Sequence, residues 1–182
     1  MVTFWELGYE GTSIADLTSA MGITPQSLYA AFGSKSALYR EALARYRDTV
    51  GAFSVRALAE ESSAMAGFER MLLESAEEFC KPRRPRGCMI STATLRCAVE
   101  NQDEAIYVAR LRESAIRSFK RRIERAIEDG EFKPGTDSGA LARYLGAVVQ
   151  GMSIQAQDGA TRNELLGLAR LAIDVLRQCR AA

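Results

Sequence analysis

Apolar residues recur along this chain at spacings of three and four, and alternation at period two is nowhere sustained. That pattern predicts helix after helix and no strand. The four prolines, Pro25, Pro82, Pro85 and Pro134, stand at boundaries, where they do least harm. Thr3 to Leu7 reads as the end of a helix closed by Gly8. Thr12 or Ser13 caps a second helix over 13–21, with Ile14, Leu17 and Met21 on one face and Gly22 ending it. Thr24 caps a third, with Pro25 at its first position, where a missing N–H costs nothing; it ends near Phe32-Gly33. Ser34 caps a fourth, running through Leu38, Ala42 and Tyr46 to about Phe53.

Longer helices are expected beyond it. One covers 63–79, with Phe68, Met71, Leu72, Ala76 and Phe79 on its apolar face. The run Lys81-Pro-Arg-Arg-Pro-Arg-Gly87 breaks the chain and reads as a solvated loop. A helix over 88–99 follows, with Cys88, Thr92, Leu95 and Val99 stacked along one side. The longest covers 103–129, striped by Val108, Leu111, Ala115, Phe119, Ile123 and Ile127 and stopped by Gly130. Asp137 caps a helix to about Ala156, and the T-x-x-E spacing of Thr161 and Glu164 opens a last one to about Arg180. The expected fold is all-α in two parts, 1–47 and 48–182, with the fourth helix as a rigid connection.

Composition narrows the function classes. Apolar residues make up 47% and charged residues 26% of 182 residues, ordinary for a globular protein. No signal-peptide organisation and no membrane-length apolar run are visible, so a cytoplasmic location is expected. The chain has no histidine, which excludes a Ser/His/Asp or Cys/His triad and an H-E-x-x-H zinc helix. Cys80, Cys88, Cys97 and Cys179 show no C-x-x-C spacing, so they read as thiols, with no metal or cofactor implied. A helical-bundle enzyme would need an acid/base or metal constellation, and none is found. The net charge of +1 gives nucleic acid no support. Lys35, Arg40, Arg45 and Arg47 are offset by Glu6, Glu10, Asp16, Glu41 and Asp48, and the three arginines read as solvated helix charges.

Motif geometry is more informative. Two short helices around the tight turn at Gly22 form a helix-turn-helix, whose second helix can offer its N-terminal residues to base edges in a major groove. Thr24, Gln26 and Ser27 are short polar groups at that start, while Leu28 and Phe32 anchor the helix to a core. The segment resembles the DNA-binding domain of the tetracycline-repressor (TetR) family. The resemblance is carried by Gly8, Tyr9, Gly11, Thr12, Ser13, Ile14, Leu17, Gly22, Ile23, Thr24, Leu28, Tyr29, Phe32, Ser34 and Lys35.

The resemblance implies a transcription regulator that binds a near-palindromic double-stranded operator as a homodimer, usually as a repressor relieved by a small molecule. Thr12 or Ser13 would hold a phosphate at a helix N-terminus, and Thr24, Tyr29 and Lys35 would contact backbone phosphates. Gln26 and Ser27, with Ala30 and Ala31, would face bases. Tyr29 also admits a plain core reading. The family begins with a longer first helix and a short basic arm, of which only Phe4 to Gly8 remains here. The helix-turn-helix is therefore expected to lack part of its supporting core, and the chain as written to bind DNA poorly. Truncation, a misassigned start and omitted residues all remain open.

The last two helices carry more apolar residues than one buried face needs: Leu141, Leu145, Val148, Val149 and Met152, then Leu165, Leu168, Leu171, Ala172, Val175 and Leu176. Gly146, Gly151 and Gly167 permit close helix approach, and in the family the corresponding helices of two subunits form a four-helix bundle. The stretches 86–93 and 145–159 resemble a common TetR-family C-terminal subtype. A pocket between the middle helices is expected to be lined by Phe68, Met71, Leu72, Phe79, Cys88, Met89, Leu95, Tyr107, Leu111 and Tyr144. Such a lining suits a hydrophobic or amphipathic ligand, although each residue taken singly also reads as core.

Cys88 carries a sharper alternative. At a helix start after Gly87, with Arg83, Arg84 and Arg86 nearby, its thiol would be activated toward oxidants or electrophiles. A small buried residue is the plainer reading, and a soft-metal site with Cys80, Met89 and Cys97 ranks lower still. An interaction module that has lost DNA binding is the remaining alternative.

Overall fold

Hydroxyl and carboxylate caps start most of the helices. Ser13 opens α2 (Ile14–Met21) in a capping box with Asp16, Thr24 opens α3 (Pro25–Phe32), and Ser34 opens α4 (Lys35–Asp48). Each hydroxyl accepts an otherwise orphaned N–H of the first turn. Asp137 and Thr161 do the same for α8 (Ser138–Gln157) and α9 (Arg162–Cys179). The computed structural model describes residues 1–93 and 97–181.

The first helical stretch closes at Gly8, as the sequence suggests. α1 (Val2–Gly11) is broken at Gly8, whose φ of 69° sets the kink, and it buries Phe4, Trp5 and Tyr9. Phe4 and Tyr9 each place their ring centroid 5.0 Å from that of Tyr39, and Trp5 lies edge-on to Tyr46 at 4.9 Å. This aromatic cluster supports the helix-turn-helix from beneath.

The fourth helix does not reach Phe53. It ends at Asp48, and α5 (Ala52–Glu60) starts after a bend. Gly51 allows that bend: its N–H donates to Tyr46 O at 2.8 Å, and a Cβ there would sit 2.8 Å from the Tyr46 ring.

Beyond the bend, α6 (Ala64–Glu78), α7 (Gln102–Glu128), α8 and α9 pack around a second core containing Phe68, Met71, Leu72, Phe119, Ile123, Leu145, Met152, Leu165 and Leu176. Glu131, after α7, reaches back to cap α6, accepting from Ser63 Oγ at 2.8 Å and from the Ala64 and Met65 N–H groups at 2.7 Å. Among the described residues the only pairing of strand type is an isolated bridge between Phe132 and Arg180. No described helix is long and apolar enough to cross a membrane.

The expected helix over 88–99 is not formed by the residues described there. Residues 88–93 are irregular, with a turn over 89–91, and a 3₁₀ turn, Val99–Asn101, leads into α7. Tertiary contacts override the local pattern. The Cys88 N–H donates to Ser153 Oγ of α8 at 2.7 Å, while Met89 and Ala93 are drawn into the N-terminal core. Val99, expected on an apolar stripe, is 86% exposed. Leu95 lies outside the described residues.

The basic loop is also tied down. Arg84 pairs with Glu78 at 2.5 Å and stands over the Trp5 ring, and Arg86 donates to Ala160 O and to Cys80 Sγ. Arg84 and Arg86 are therefore committed away from Cys88, and among the described residues Cys88 does not start a helix.

Candidate DNA interface and ligand cavity

α3 presents a continuous exposed surface. Thr24, Pro25, Gln26, Ser27, Tyr29, Ala30 and Ala31 all face solvent, and only Leu28 is fully buried. Thr24 Oγ1 accepts from Ser27 N at 3.2 Å and contacts Ser27 Oγ at 3.0 Å, which fixes the first turn. Tyr29 is 48% exposed, so it is not a core aromatic.

Of the two residues expected at the start of α2, Ser13 reaches solvent. Thr12 is wholly buried, with its hydroxyl donating to Gly8 O at 2.5 Å. That bond closes the kink in α1, so the Thr12 side chain turns inward. Lys35, at the start of α4, lies 4.4 Å from the Tyr9 ring centroid, and partial burial lowers its pKa. The arrangement thus offers polar groups and helix N-termini rather than a dense array of cations.

Arg40 is not a solvated helix charge. Its guanidinium donates through Nη2 and Nε to Glu104 of α7 at 2.8 and 3.2 Å, and Ser36 Oγ donates to the same carboxylate at 2.6 Å. Glu104 is 3% exposed. Arg40 also lies over the Tyr107 ring, 4.9 Å from its centroid, which places Tyr107 in this junction rather than in a pocket. Nearby, Glu10 accepts from Ala98 N and Asn101 Nδ2, both at 2.9 Å. Two carboxylates therefore clamp the N-terminal helices to the start of α7. Sequence periodicity gave no sign of the Glu104 clamp, because its partners lie 64 and 68 residues away.

A cavity of about 300 Å³ opens between the end of α4, α5, the turns after Gly87, α7 and α8. Met71, Phe79, Cys88 and Leu111 line it as expected from sequence, joined by Phe53, Ile116 and Phe119. Other expected lining residues lie elsewhere. Phe68 and Leu72 are closed inside the second core, and Met89 is turned into the N-terminal core. Tyr144 packs against the second core from α8 and does not line the cavity. Sequence reasoning missed the polar wall, which includes Tyr46, Arg112, Ser114, Ser118 and Gln150. Its one signal was Arg112 directly after Leu111, inside the apolar stripe of the longest helix.

Tyr46 joins cavity and DNA-binding unit. It is 2% exposed, and its hydroxyl meets the Cys88 thiol and the Met89 N–H. Burial, reinforced by Cys88, pushes the phenol far above its usual range, so it stays protonated.

The expected dimer residues divide in two. Leu141, Leu145 and Met152 belong to the subunit's own core, where α8 packs on α6, α7 and α9, and are removed from any outer surface. Val149 faces the cavity. Val148, Leu168 and Val175 are half-buried, and Leu171 is 65% exposed, so an apolar strip does remain on the outer side of α8 and α9.

Known proteins share this architecture. The family described as bacterial regulatory proteins, tetR family, matches residues 1–42. The HTH-type transcriptional repressor ComR of Escherichia coli (strain K12) is 31% identical over 170 residues, covering 93% of this chain and 81% of that protein. A cysteine-substituted form of the TetR family transcriptional regulator CifR, complexed with 26 bp double-strand operator DNA, superposes with a TM-score of 0.91. It is 39% identical, over 95% of this chain and 90% of that one. A putative TetR transcriptional regulator from Rhodococcus sp. RHA1 is also 39% identical, with a TM-score of 0.64 over 98% of this chain and 94% of that one. The capped helix-turn-helix, the helical second unit and these similarities together establish that the chain belongs to the TetR family of bacterial transcriptional regulators.

Proposed function

We propose that the protein is a cytoplasmic homodimeric repressor that occupies a near-palindromic double-stranded operator and leaves it when a small amphipathic ligand enters the cavity. Its work is binding, with no catalytic step. Residues 1–47 read DNA, and residues 48–182 dimerise and take the ligand. One observation carries this reading: Tyr46, on the helix that follows the recognition helix, forms part of the cavity wall. A ligand seated there presses on α4, and a pivot of α4 changes the separation of the two recognition helices. The exposed strip with Leu171 at its centre supports dimerisation, which would bring those helices to successive major grooves. The CifR–operator complex supports DNA as the partner.

The test is binding to labelled DNA from the protein's own promoter region, with and without excess competitor. Saturable, competitor-resistant binding by a dimer is expected; binding abolished equally by any DNA would count against the reading. Lys35→Ala should weaken binding similarly on all sequences and flatten the salt dependence by about one unit of slope. Gln26→Ala should instead cost about 1–3 kcal/mol at one base-pair position and leave the slope unchanged.

A second reading is favoured by the position of Cys88 on the cavity wall beside Tyr46. An electrophile entering the cavity would alkylate the thiol and displace Tyr46. Iodoacetamide is then expected to add to Cys88 first, by peptide mass mapping, and to release bound DNA. Release that persists in Cys88→Ser would refute this route.

A further inference from the structure

The cavity wall is unbalanced in charge. Among the described residues three arginines, Arg47, Arg112 and Arg121, line it, and no aspartate or glutamate does. Arg47 spends its charge outside, on Asp48 at 3.2 Å. Arg112 differs. Its Nη1 donates to Ile90 O at 3.2 Å and Ala93 O at 3.3 Å, both neutral carbonyls, and among the described residues no carboxylate pairs with it. Burial lowers its pKa, opposed by a contribution from Tyr39. A partly desolvated guanidinium that is held by neutral carbonyls, next to an apolar floor, is a fitting partner for an anionic group.

We infer that the effector is a small amphipathic carboxylate, its head group held by Arg112 and its apolar body lying among Phe53, Phe79, Ile116 and Phe119. This rests on the cavity being the effector site and specifies what that site takes. The planar guanidinium fork matches a carboxylate in two parallel hydrogen bonds, and the bonds already made by Nη1 hold it in place for that contact. Arg121 adds positive potential at the wall, while Ser114, Ser118 and Gln150 offer further donors. The apolar floor supplies most of the burial energy and the arginine supplies selectivity. A volume of about 300 Å³ is at the small end for ligand sites, so a medium-chain acid fits better than a bulky polycycle.

The probes are octanoate and octanamide, alike in shape and different in charge at neutral pH, titrated calorimetrically into the full chain. Octanoate should bind about tenfold more tightly than octanamide, the ratio expected from one charge-assisted bond. It should also slow iodoacetamide labelling of Cys88, which places it in the cavity. Arg112→Gln should bring the ratio to about one, whereas Arg112→Lys should keep several-fold preference, since it retains the charge. Both variants lose the geometry that holds Ile90 and Ala93, so a merely structural role would affect them alike. Equal binding of the two probes overturns the proposal while leaving the cavity an effector site. Absent octanoate binding, unprotected Cys88, or a preference that survives Arg112→Gln also overturns it. Arg112-dependent octanoate binding supports it even if the DNA complex stays intact, a result that would count against the ligand-relieved repressor instead.

Discussion

Gly87→Ala is expected to lower stability by about 3 kcal/mol and the melting temperature by roughly 6–12 °C. Two costs combine. Gly87 has φ of 76°, a left-handed conformation that side-chain-bearing residues adopt with strain, and a Cβ there would lie 2.6 Å from Ser153 O and 2.9 Å from Ser153 Oγ. The nearest atom is backbone of α8, so it cannot swing away. Two bonds depend on this approach: Gly87 N–H to Phe79 O at 3.0 Å and Cys88 N–H to Ser153 Oγ at 2.7 Å. Gly130→Ala separates the terms, since Gly130 has nearly the same φ, 74°, with nothing within 4 Å of a built Cβ. It should lose about 1 kcal/mol, for backbone strain alone. Equal losses at the two sites, by thermal or urea denaturation, would show that the contact with α8 is unimportant.

Glu104→Ala should cost about 2 kcal/mol and weaken operator binding up to about tenfold. The carboxylate is buried and takes hydrogen bonds from Ser36 and Arg40, so its removal frees the first turns of α4 from α7. The stability loss stays below that of a fully buried pair because the Arg40 side chain is 42% exposed and recovers water when its partner goes. Glu104→Gln keeps an acceptor for Ser36 while losing the charge, and should fall between the parent and the alanine variant. In the ligand-relieved reading, both variants also respond less to an effector, because the clamp is where a shift of α7 meets α4. Parental melting and parental DNA affinity for Glu104→Ala would remove this clamp from the account.

What the sequence made legible was written locally. Thr24 with Ser27, Asp137 with Ala140 and Thr161 with Glu164 are partners three residues apart, so a reader of the chain can find the helix starts they define. The helix-turn-helix was recognisable for the same reason, as a run of closely spaced positions. Features that depend on distant partners were not legible. Periodicity alone carried α4 through Gly51, because the Tyr46 ring that bends the chain there becomes a constraint only after folding. It put a helix at 88–99, because Ser153 is 65 residues away from the N–H it captures. It assigned Leu141, Leu145 and Met152 to a partner subunit, because an apolar stripe does not say which helix will cover it. Arg112 is one cation among many on a charged helix, and beyond its place directly after Leu111 nothing local in the sequence separates it from the others that do not line the cavity.

The N-terminal core is not built from N-terminal residues alone. Met89, Ala93 and Val108, which follow α5 and α6 in the chain, complete it beside Phe4, Tyr39 and Tyr46. The helix-turn-helix unit is thus an unfinished hemisphere without its own second unit, and the two are poor material for shuffling. A chimera that kept this helix-turn-helix and replaced everything after residue 48 would expose an apolar hollow, unless the donor chain brought side chains of matching size to those three places. Inheritance of the helix-turn-helix and of the helices that follow it would therefore be linked in this protein by packing.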